Sequence, residues 1–276
     1  KGTSVSFVTD AGAIDASNIT DDMGATKAVY RTQSPRPTDV APGGTESSYV
    51  DGTGRTRNPR DGWFSILVMT TGEEYFVDTN GNGVWDAGET ITDLPEPFVD
   101  SSDSGAWEAG EMFFDWPAGV TGATAGSYNV ANGVFDAKIP IYRNVTLVMT
   151  GPPDMGANTS HIEHSSGGTG NYAINKGASE TFFVYVSDIN MNALMAGTKV
   201  SMGADSTNAK ITLVSGQDTL SDGLSTGRAI VGFSVKNNSA AADPATNINL
   251  SATIDWPGKC GAGKFTFNYP GTITLN

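Results

Sequence analysis

Short runs of alternating apolar and polar residues, separated by turn-forming residues, recur along the whole chain. Residues 4–9 alternate in this way, and the strongest runs are residues 63–71 and 139–150. A period of two is the signature of a strand with one buried face. Pro140 places the start of the second strong run at a sheet edge, because proline donates no hydrogen bond to a neighbouring strand. The pattern predicts an all-β fold of many short strands.

The second half of the chain predicts a complete β-sandwich. After a polar, glycine- and serine-rich stretch at residues 154–170, apolar segments return at regular spacing. They are residues 171–175, 179–187, 198–202, 210–214, 228–235, 247–254 and 264–275. About seven short strands at this spacing are typical of an immunoglobulin-like sandwich.

A stiff sequence, Gly151-Pro152-Pro153, lies between the two halves and marks the predicted domain boundary. We expect a first sandwich at residues 1–152 and a second at residues 153–276. Residues 33–60 are rich in Pro, Gly, Thr and Ser, so they predict a long loop within the first half. The sequence therefore predicts two tandem domains.

Composition narrows the functional classes. The formal net charge of −14 and the pI near 4.4 give a surface that repels phosphates, which excludes a nucleic-acid binder. The single cysteine, Cys260, excludes an intrachain disulfide, and no apolar run reaches the roughly 18 residues that span a bilayer. Because the chain starts at Lys1 with no visible signal peptide, we expect a mature or cropped product of a secreted protein.

Turn-and-strand motifs recur in both halves. Residues 183–192 read Phe-Val-Tyr-Val-Ser-Asp-Ile-Asn-Met-Asn, and residues 194–200 follow with a Gly-Thr step into the next strand. Residues 2–7 and 12–14 repeat that step and its turn, and residues 20–26 read Thr-Asp-Asp-Met-Gly-Ala-Thr. These motifs resemble the bacterial immunoglobulin-like domains of the invasin and intimin type. The resemblance implies tandem all-β sandwiches at a bacterial cell surface.

The first domain departs from that family at its start. If Gly2-Thr3 corresponds to the family's Gly-Thr step, the first sandwich lacks its opening strand or strands. A cropped chain, proteolytic maturation and a strand donated by another molecule each account for this. Strand donation implies partners that are other copies of the chain or other surface proteins, joined at an open sheet edge.

A segment with specific chemistry begins at residue 78, where residues 78–89 read Asp-Thr-Asn-Gly-Asn-Gly-Val-Trp-Asp-Ala-Gly-Glu. A twelve-residue calcium loop offers oxygen at positions one, three, five, seven, nine and twelve, with glycine at position six. Those positions hold Asp78, Asn80, Asn82, the Val84 carbonyl, Asp86 and Glu89, with Gly83 at position six. We therefore predict a Ca²⁺ site in this EF-hand-like loop.

The same segment occurs a second time, with residues 98–111 repeating residues 76–89 in register. The predicted ligands of the second loop are Asp100, Ser102, Ser104, the Ala106 carbonyl, Glu108 and Glu111, and Asp93 and Asp115 recur behind the two loops as further candidates. Serine hydroxyls are weaker ligands than carboxylates, so we expect this site to be poorer or to use Asp103 or waters. Residues 132–136 look like a third, decayed copy.

The loops predict an insertion rather than a helix–loop–helix hand. Residues 74–77 read as a strand, and Leu94-Pro95-Glu96-Pro97 forbids a long exit helix. Residues 73–115 contain twelve acidic residues and no Lys or Arg. Because such close carboxylates repel one another, we expect bound calcium to hold residues 73–138 rigid within the first sandwich.

Other motifs indicate no catalysis. His161 and His164 suggest a zinc site, but both lie in the glycine- and serine-rich stretch and the chain has no third histidine, so we expect a solvated loop. We see no nucleophile beside them and predict that the protein is not an enzyme. The five tryptophans allow a carbohydrate-stacking surface as an alternative.

The predicted function is structural. We expect an extracellular, calcium-stabilised building block of a bacterial surface fibre, filament or stalk. Two alternatives stay open. One is an adhesin or carbohydrate-binding module with a glycan ligand, and the other is an accessory module of a larger secreted enzyme.

Overall fold

The computed structural model describes residues 1–37, 40–116, 122–224, 227–258 and 263–276. In these ranges the backbone forms strands, bridges and turns, and it forms no helix. It follows for the same ranges that no helix long and apolar enough to cross a membrane is found. The prediction of an all-β fold is confirmed. Cys260 lies outside the described residues.

The strands are short, in agreement with the frequent turn-forming residues between them. In chain order they are β1 (Ser4–Thr9), β2 (Ala13–Ile14), β3 (Ser17–Ile19), β4 (Tyr30–Arg31), β5 (Tyr49–Val50), β6 (Thr56–Arg57), β7 (Trp63–Gly72), β8 (Tyr75–Phe76), β9 (Ile91–Thr92), β10 (Ile139–Val148), β11 (His161–His164), β12 (Tyr172–Ile174), β13 (Ser179–Val186), β14 (Lys199–Ala204), β15 (Ala209–Ser215), β16 (Ala229–Asn237), β17 (Thr246–Ile248), β18 (Leu250–Trp256), β19 (Gly263–Asn268) and β20 (Ile273–Leu275). The two longest, β7 and β10, coincide with the strongest alternating runs of the sequence.

The chain divides into two compact units. Unit 1 comprises Lys1–Thr38 and Trp63–Met149, and unit 2 comprises Asp39–Gly62 and Thr150–Asn276. The segment Asp39–Gly62 therefore belongs to unit 2, although it lies between the two parts of unit 1 in the sequence.

Unit 1 is built on a four-stranded antiparallel sheet with the order β10-β7-β1-β3, in which β10 is an edge strand, as Pro140 predicted. In β7, Phe64 and Ile66 are buried on one face of the sheet, and Leu67 is buried on the other. The ribbon of β2 and β4 covers the first face, where Tyr30 stacks on Phe64 with ring centroids 4.8 Å apart.

The acidic segment is a connection between two paired strands. Gly72 at the end of β7 pairs with Ile139 at the start of β10, so the intervening residues leave and return at the tip of a hairpin. From there the connection folds back over the sheet. The side-chain amide of Asn144, in β10, donates to the Phe98 carbonyl at 3.0 Å.

Apolar residues of this connection form a second layer on the sheet. Phe98 packs edge-on against Tyr142 of β10, and Phe98 and Val99 are both buried. Leu67, which lies directly opposite Asn144 in the sheet, is fully buried. The part of the acidic segment around Phe98 therefore packs on the sheet of unit 1.

Unit 2 is a two-layered sandwich. One layer has the order β11-β13-β16-β15, and the other contains β12-β20-β17 and β14-β18-β19, with β17 and β18 separated only by Asn249. The strands of unit 2 can be renumbered in chain order, with β17 and β18 counted as one strand, β19 and β20 as one, and β12 left out as an extra strand. The first layer then has the order 1-2-5-4, and the second has the order 3-6-7. This is the strand arrangement of a constant-type immunoglobulin sandwich.

Alternation places one face of each long strand in the core of this sandwich. Phe182, Val184 and Val186 of β13 are fully buried and belong to one apolar cluster with residues of both layers. The buried members from the other strands are Ile162, Ile174, Val200, Val231, Phe233, Val235, Ile248, Leu250, Ala252, Ile254, Trp256, Ile273 and Leu275, with Leu194 and Tyr269 from loops. The predicted segments of the second half are confirmed as strands, with boundaries shifted by a few residues.

Two predicted loops contain strands. The expectation of a solvated loop around the histidines is wrong, because His161–His164 forms β11 and pairs with β13. Ile162 and His164 face the core, and this burial outweighs the polar character of the flanking residues. The predicted long loop at residues 33–60 contains the hairpin of β5 and β6.

The segment that contains the β5–β6 hairpin is anchored within unit 2 by side-chain hydrogen bonds. Asn190 and Asn192 donate to the Asp61 carbonyl at 3.1 and 2.7 Å, and the Tyr49 hydroxyl donates to the Ile189 carbonyl. Long-range contacts of this kind leave no local pattern in the sequence, so the segment read as a loop.

Candidate cation-binding loops

A short strand pair holds the ends of the first acidic loop together. β8 and β9 pair antiparallel with Phe76 opposite Ile91, and the Val77 amide donates to the Thr90 carbonyl at 2.8 Å. Residues 78–89 leave this ladder and return to it. The twelve-residue loop is therefore closed at its base by backbone hydrogen bonds.

Asp78, at position one of the loop, faces the loop's own backbone. Its carboxylate accepts hydrogen bonds from the amides of Gly81, Asn82 and Gly83 at 2.7, 3.2 and 2.8 Å. These amides, that of Gly83 most strongly, lower the pKa of Asp78, because N–H dipoles stabilise the ionised carboxylate. Gly83 has a φ of +76°, which explains the need for glycine at position six.

Glu89, at position twelve, closes the loop from the other side. Its carboxylate accepts the amides of Thr79 and Asp86 at 2.8 and 3.0 Å, and the Thr79 hydroxyl at 3.0 Å. The Asp86 amide is the largest influence that lowers the pKa of Glu89. Both terminal carboxylates are thus held ionised and directed along the inside of the turn.

The predicted side-chain ligands between these ends also come together. The side-chain amides of Asn80 and Asn82 donate to the same oxygen of Asp86, at 2.7 and 2.8 Å. Their carbonyl oxygens accept the backbone amides of Asn82 and Val84 at 3.0 and 2.8 Å. Positions one, three, five, nine and twelve of the loop are therefore linked in one hydrogen-bonded turn.

The second loop repeats this arrangement. Its base is closed by a bridge between Phe98 and Phe113 and by the Val99 amide, which donates to the Met112 carbonyl at 2.8 Å. The Phe98–Phe113 bridge corresponds to the Phe76–Ile91 pair of the first loop, and the Val99–Met112 hydrogen bond corresponds to that between Val77 and Thr90. The sequence repeat is thus a repeat of structure.

The terminal carboxylates of the second loop also accept amides of their own loop, and all but that of Ser102 correspond to amides bound in the first loop. Asp100 accepts those of Ser104 and Gly105 at 3.0 and 2.9 Å. Glu111 accepts those of Ser102 and Glu108 at 3.0 and 2.9 Å. Asp100 and Glu111 are buried, whereas Asp78 in the first loop is exposed, so the two loops differ in their access to solvent.

The middle of the second loop has weaker oxygen donors. The Ser104 hydroxyl donates to the Ala106 carbonyl at 2.8 Å, and both atoms belong to predicted ligands. Among the described residues the buried Ser102 hydroxyl has no hydrogen-bond partner. Asp103, the predicted substitute ligand, is buried and has a φ of +55°.

Asp93 and Asp115, the candidates behind the loops, are engaged elsewhere. A glycine amide from a later part of the chain donates to each of them, Gly133 to Asp93 and Gly126 to Asp115, the latter at 2.6 Å. Both glycines belong to residues 124–136, which we call the closing segment. The sequence indicated only a decayed loop at residues 132–136, and it did not indicate this role.

Aromatic rings of the closing segment cover the tryptophans at position eight of each loop. Trp85 stacks on Phe135 with ring centroids 5.1 Å apart, and Trp107 stacks on Tyr128 at 4.3 Å. The spacing from Gly126 to Tyr128 is the same as that from Gly133 to Phe135. This short repeat, Gly-x-aromatic-Asn/Asp, is the signal in the sequence that could have identified the segment.

Two buried glutamates tie the closing segment to the loops. Glu74 accepts the amides of Leu94 and Asp136, both at 2.9 Å. Burial raises the pKa of Glu74, and the negative charge of Asp93 raises it further. These bonds place the Glu74 carboxylate where three chain segments meet.

The counterpart of Glu74 in the second repeat is Glu96. It accepts the amides of Trp116 and Asn129 at 2.7 and 2.9 Å. Glu74 and Glu96 were not among the predicted site residues, because a carboxylate that binds only backbone amides leaves no ligand spacing in the sequence.

The donor chemistry of the loops fits Ca²⁺. In the described ranges no three His, Cys, Asp or Glu side chains are arranged to hold a metal. An ion here would also need amide, hydroxyl and backbone carbonyl oxygens, a mixture that calcium accepts. A carboxylate oxygen that accepts one hydrogen bond keeps further lone-pair capacity for a cation. Metals that prefer nitrogen or sulfur find no such donors in these loops.

The two histidines do not converge on one site. They lie on opposite faces of β11, His161 bonded to Glu163 and His164 to Glu180, each at 3.1 Å. The ring of His164 stacks on Tyr172 with centroids 3.7 Å apart. These contacts are all with side chains of unit 2, so both histidines are explained as structural residues of its sandwich.

Comparisons with known proteins gave few matches. No family model matches the chain, and no curated protein matches it. One solved structure that is similar comprises domains 4 and 5 of the S-layer protein SbsC. The alignment has 15% sequence identity and a TM-score of 0.26, and covers 55% of this chain and 69% of that one. A likeness this weak assigns no function.

Proposed function

We propose that this protein is a non-catalytic, calcium-stabilised structural module of a bacterial cell surface, used as a building block of a fibre, filament or stalk. The observation that carries the proposal is the repeated hydrogen-bonding scheme of the two acidic loops. In both, carboxylates at positions one and twelve are oriented by backbone amides of their own loop. Preorganised oxygen donors reduce the free-energy cost of binding a cation.

The residues that would hold the ions are the predicted ligands of each loop. In the first loop they are Asp78, Asn80, Asn82, the Val84 carbonyl, Asp86 and Glu89; in the second they are Asp100, Ser102, Ser104, the Ala106 carbonyl, Glu108 and Glu111. A bound divalent cation would offset the repulsion among the twelve acidic residues of residues 73–115. Because this segment packs on the sheet of unit 1, its order also protects that sheet.

The adhesin alternative is favoured by exposed apolar side chains on the insertion. Val84, Met112 and Val130 are exposed, the last at 72%. Within this alternative, stacking of a sugar on the loop tryptophans has less support, because Trp85 and Trp107 each present one ring face to an aromatic residue of the closing segment. The accessory-module alternative has no observation of its own.

Calcium binding is tested by titration of the whole chain with Ca²⁺ in a calorimeter. We expect two bound ions in the native protein, and one ion in each of the variants Glu89→Gln and Glu111→Gln. Asp218→Asn, an exposed carboxylate of unit 2, is the charge-matched control and should retain both ions. A native protein that binds no Ca²⁺ at millimolar concentration contradicts the proposal.

Assembly is tested separately by electron microscopy and light scattering. A fibre building block joined by strand donation should form polymers at high concentration, since the long strand β10 presents a sheet edge in the described part of unit 1. A protein that stays monomeric with and without Ca²⁺ contradicts the fibre proposal, and glycan-array binding that chelator abolishes favours the adhesin.

A further inference from the structure

The closing segment meets the two loops in reverse order. Its first half, around Tyr128, contacts the second loop, and its second half, around Phe135, contacts the first loop. The contact between Trp107 and Tyr128 therefore lies, in sequence, inside the contact between Trp85 and Phe135. We call the second loop with its contacts the inner lock and the first loop with its contacts the outer lock.

The inner lock includes three hydrogen bonds and a ring contact. Gly126 donates its amide to Asp115 at 2.6 Å, and Asn129 donates its amide to Glu96 at 2.9 Å. The Glu96 amide donates back to the Asn129 carbonyl at 3.0 Å. Tyr128, which lies between Gly126 and Asn129 in the sequence, stacks on Trp107 of the second loop.

The outer lock has the same contacts, made by the second half of the closing segment with the first of the two loops. Gly133 donates to Asp93, and Asp136 donates to Glu74 at 2.9 Å. The Glu74 amide donates back to the Asp136 carbonyl at 3.2 Å. The agreement of these contacts indicates that the closing segment has two corresponding halves, one per loop.

We propose that the closing segment couples the two acidic loops, so that Ca²⁺ bound in one loop raises the affinity of the other. This inference rests on the proposed cation binding and adds the regulation of the same sites. It assigns Tyr128, Phe135, Glu74 and Glu96 as positioning residues, which hold the loops without contacting the ion.

The nested order supplies the physical reason. The outer contact, between Trp85 and Phe135, closes a long stretch of chain. The inner contact, between Trp107 and Tyr128, lies within that stretch, so once it has formed the outer contact has a shorter loop to close. Loop-closure entropy grows with the logarithm of loop length, so formation of the inner lock favours the outer one by roughly twofold. Coupling between two binding sites is reciprocal, so the outer ion favours the inner site by the same factor.

The test follows each loop separately by NMR. The amides of Gly83 and Gly105, at position six of the two loops, donate to the Asp78 and Asp100 carboxylates at 2.8 and 2.9 Å. Their signals should therefore report the state of each site during a Ca²⁺ titration of the full chain. In the native protein we expect the midpoint of each signal to report an affinity that includes the effect of the ion in the other loop.

Disabling one loop should weaken the other. In Glu111→Gln, the Gly83 signal should report an affinity about twofold below that of the native outer loop, and Glu89→Gln should have the same effect on Gly105. Phe135→Leu, which keeps an apolar side chain, should still bind two ions, but adding Glu111→Gln or Glu89→Gln to it should no longer change the affinity of the remaining loop. Val130→Ala, between the two halves of the closing segment and exposed, is the control and should leave the coupling between the loops unchanged.

Two results have distinct meanings. If both signals respond to Ca²⁺ and each affinity is unchanged by loss of the other site, the coupling is wrong while cation binding stands. If neither glycine signal responds to Ca²⁺, the proposed function itself fails. Hydrogen exchange at residues 98–113 in Phe135→Leu shows whether the second loop keeps its fold. This measurement identifies an affinity that is low because the loop has unfolded.

Discussion

Single carboxylates have different tasks according to what surrounds them. Asp78 and Glu89 accept amides of their own loop, whereas Glu74 and Glu96 accept amides from distant segments. A buried carboxylate must be paired or hydrogen-bonded, because its desolvation is costly. The buried glutamates therefore act as structural cross-links of the insertion.

Glu96→Gln tests this cross-link. Glutamine keeps one acceptor oxygen but presents an amide donor where Glu96 accepts the second backbone amide. We expect unit 1 to lose about 1–3 kcal/mol of stability in urea denaturation, because a buried donor is left unpaired. Glu73→Gln removes the same charge from an exposed side chain and should change stability by less than about 0.5 kcal/mol. Equal losses in both variants would contradict the role of Glu96.

His161 predicts a pH dependence of unit 2. Burial lowers its pKa, although Glu163 opposes this, and Arg228, which lies over the Tyr185 ring on which His161 stacks, lowers it further. The unfolded chain, with an ordinary pKa of about 6.5, binds the proton first as pH falls. Unit 2 should therefore lose stability below about pH 6.5.

The measurement is the denaturation midpoint of unit 2 between about pH 5 and pH 8. The native protein should show a decline below about pH 6.5 that the variant His161→Phe reduces. The same decline in both proteins would exclude His161 as its source.

At the level of elements, periodicity identified the strands and missed their partners. The runs at residues 63–71 and 139–150 became β7 and β10 because both alternate strongly. β11, β5 and β6 were read as loops, since their flanking residues are polar and their stabilising contacts are distant in sequence. The twelve-residue loops followed from the sequence, because ligand spacing is local. The closing segment did not, because its contacts reach back to residues up to 62 positions away.

Leu67→Ala tests whether the insertion and the sheet form one core. Leu67 is fully buried and lies opposite Asn144, which bonds the insertion, so the cavity should cost unit 1 about 2–5 kcal/mol in denaturant unfolding. Val145→Ala, on the neighbouring strand β10, removes a side chain that is 41% exposed and should cost less than about 1 kcal/mol. A small loss for Leu67→Ala would show that the insertion packs loosely.

At the level of the whole molecule, the two units stabilise themselves by different means. Unit 2 has a large apolar core that joins both of its layers. Unit 1 has a small cluster on one face of its sheet and the acidic insertion on the other. We therefore expect cation-dependent stability in unit 1 alone.

Calorimetric unfolding with and without a calcium chelator tests this difference. At a free Ca²⁺ concentration of about 100 times Kd, each bound ion contributes about 2.7 kcal/mol of stability. The chelator should lower the unfolding temperature of unit 1 and leave that of unit 2 unchanged. The double variant Glu89→Gln/Glu111→Gln should not respond to chelator. A shift of both transitions would contradict the separation.

The sequence by itself determined the all-β class, most strands and the two acidic loops, because alternation and the spacing of carboxylates and glycines are properties of neighbouring residues. The tertiary structure alone decided that Asp39–Gly62 joins unit 2, that the insertion packs on the sheet of unit 1, and that residues 124–136 cover both loops. These features depend on hydrogen bonds and ring contacts between residues far apart in the chain. Such contacts form only when the whole fold brings their partners together.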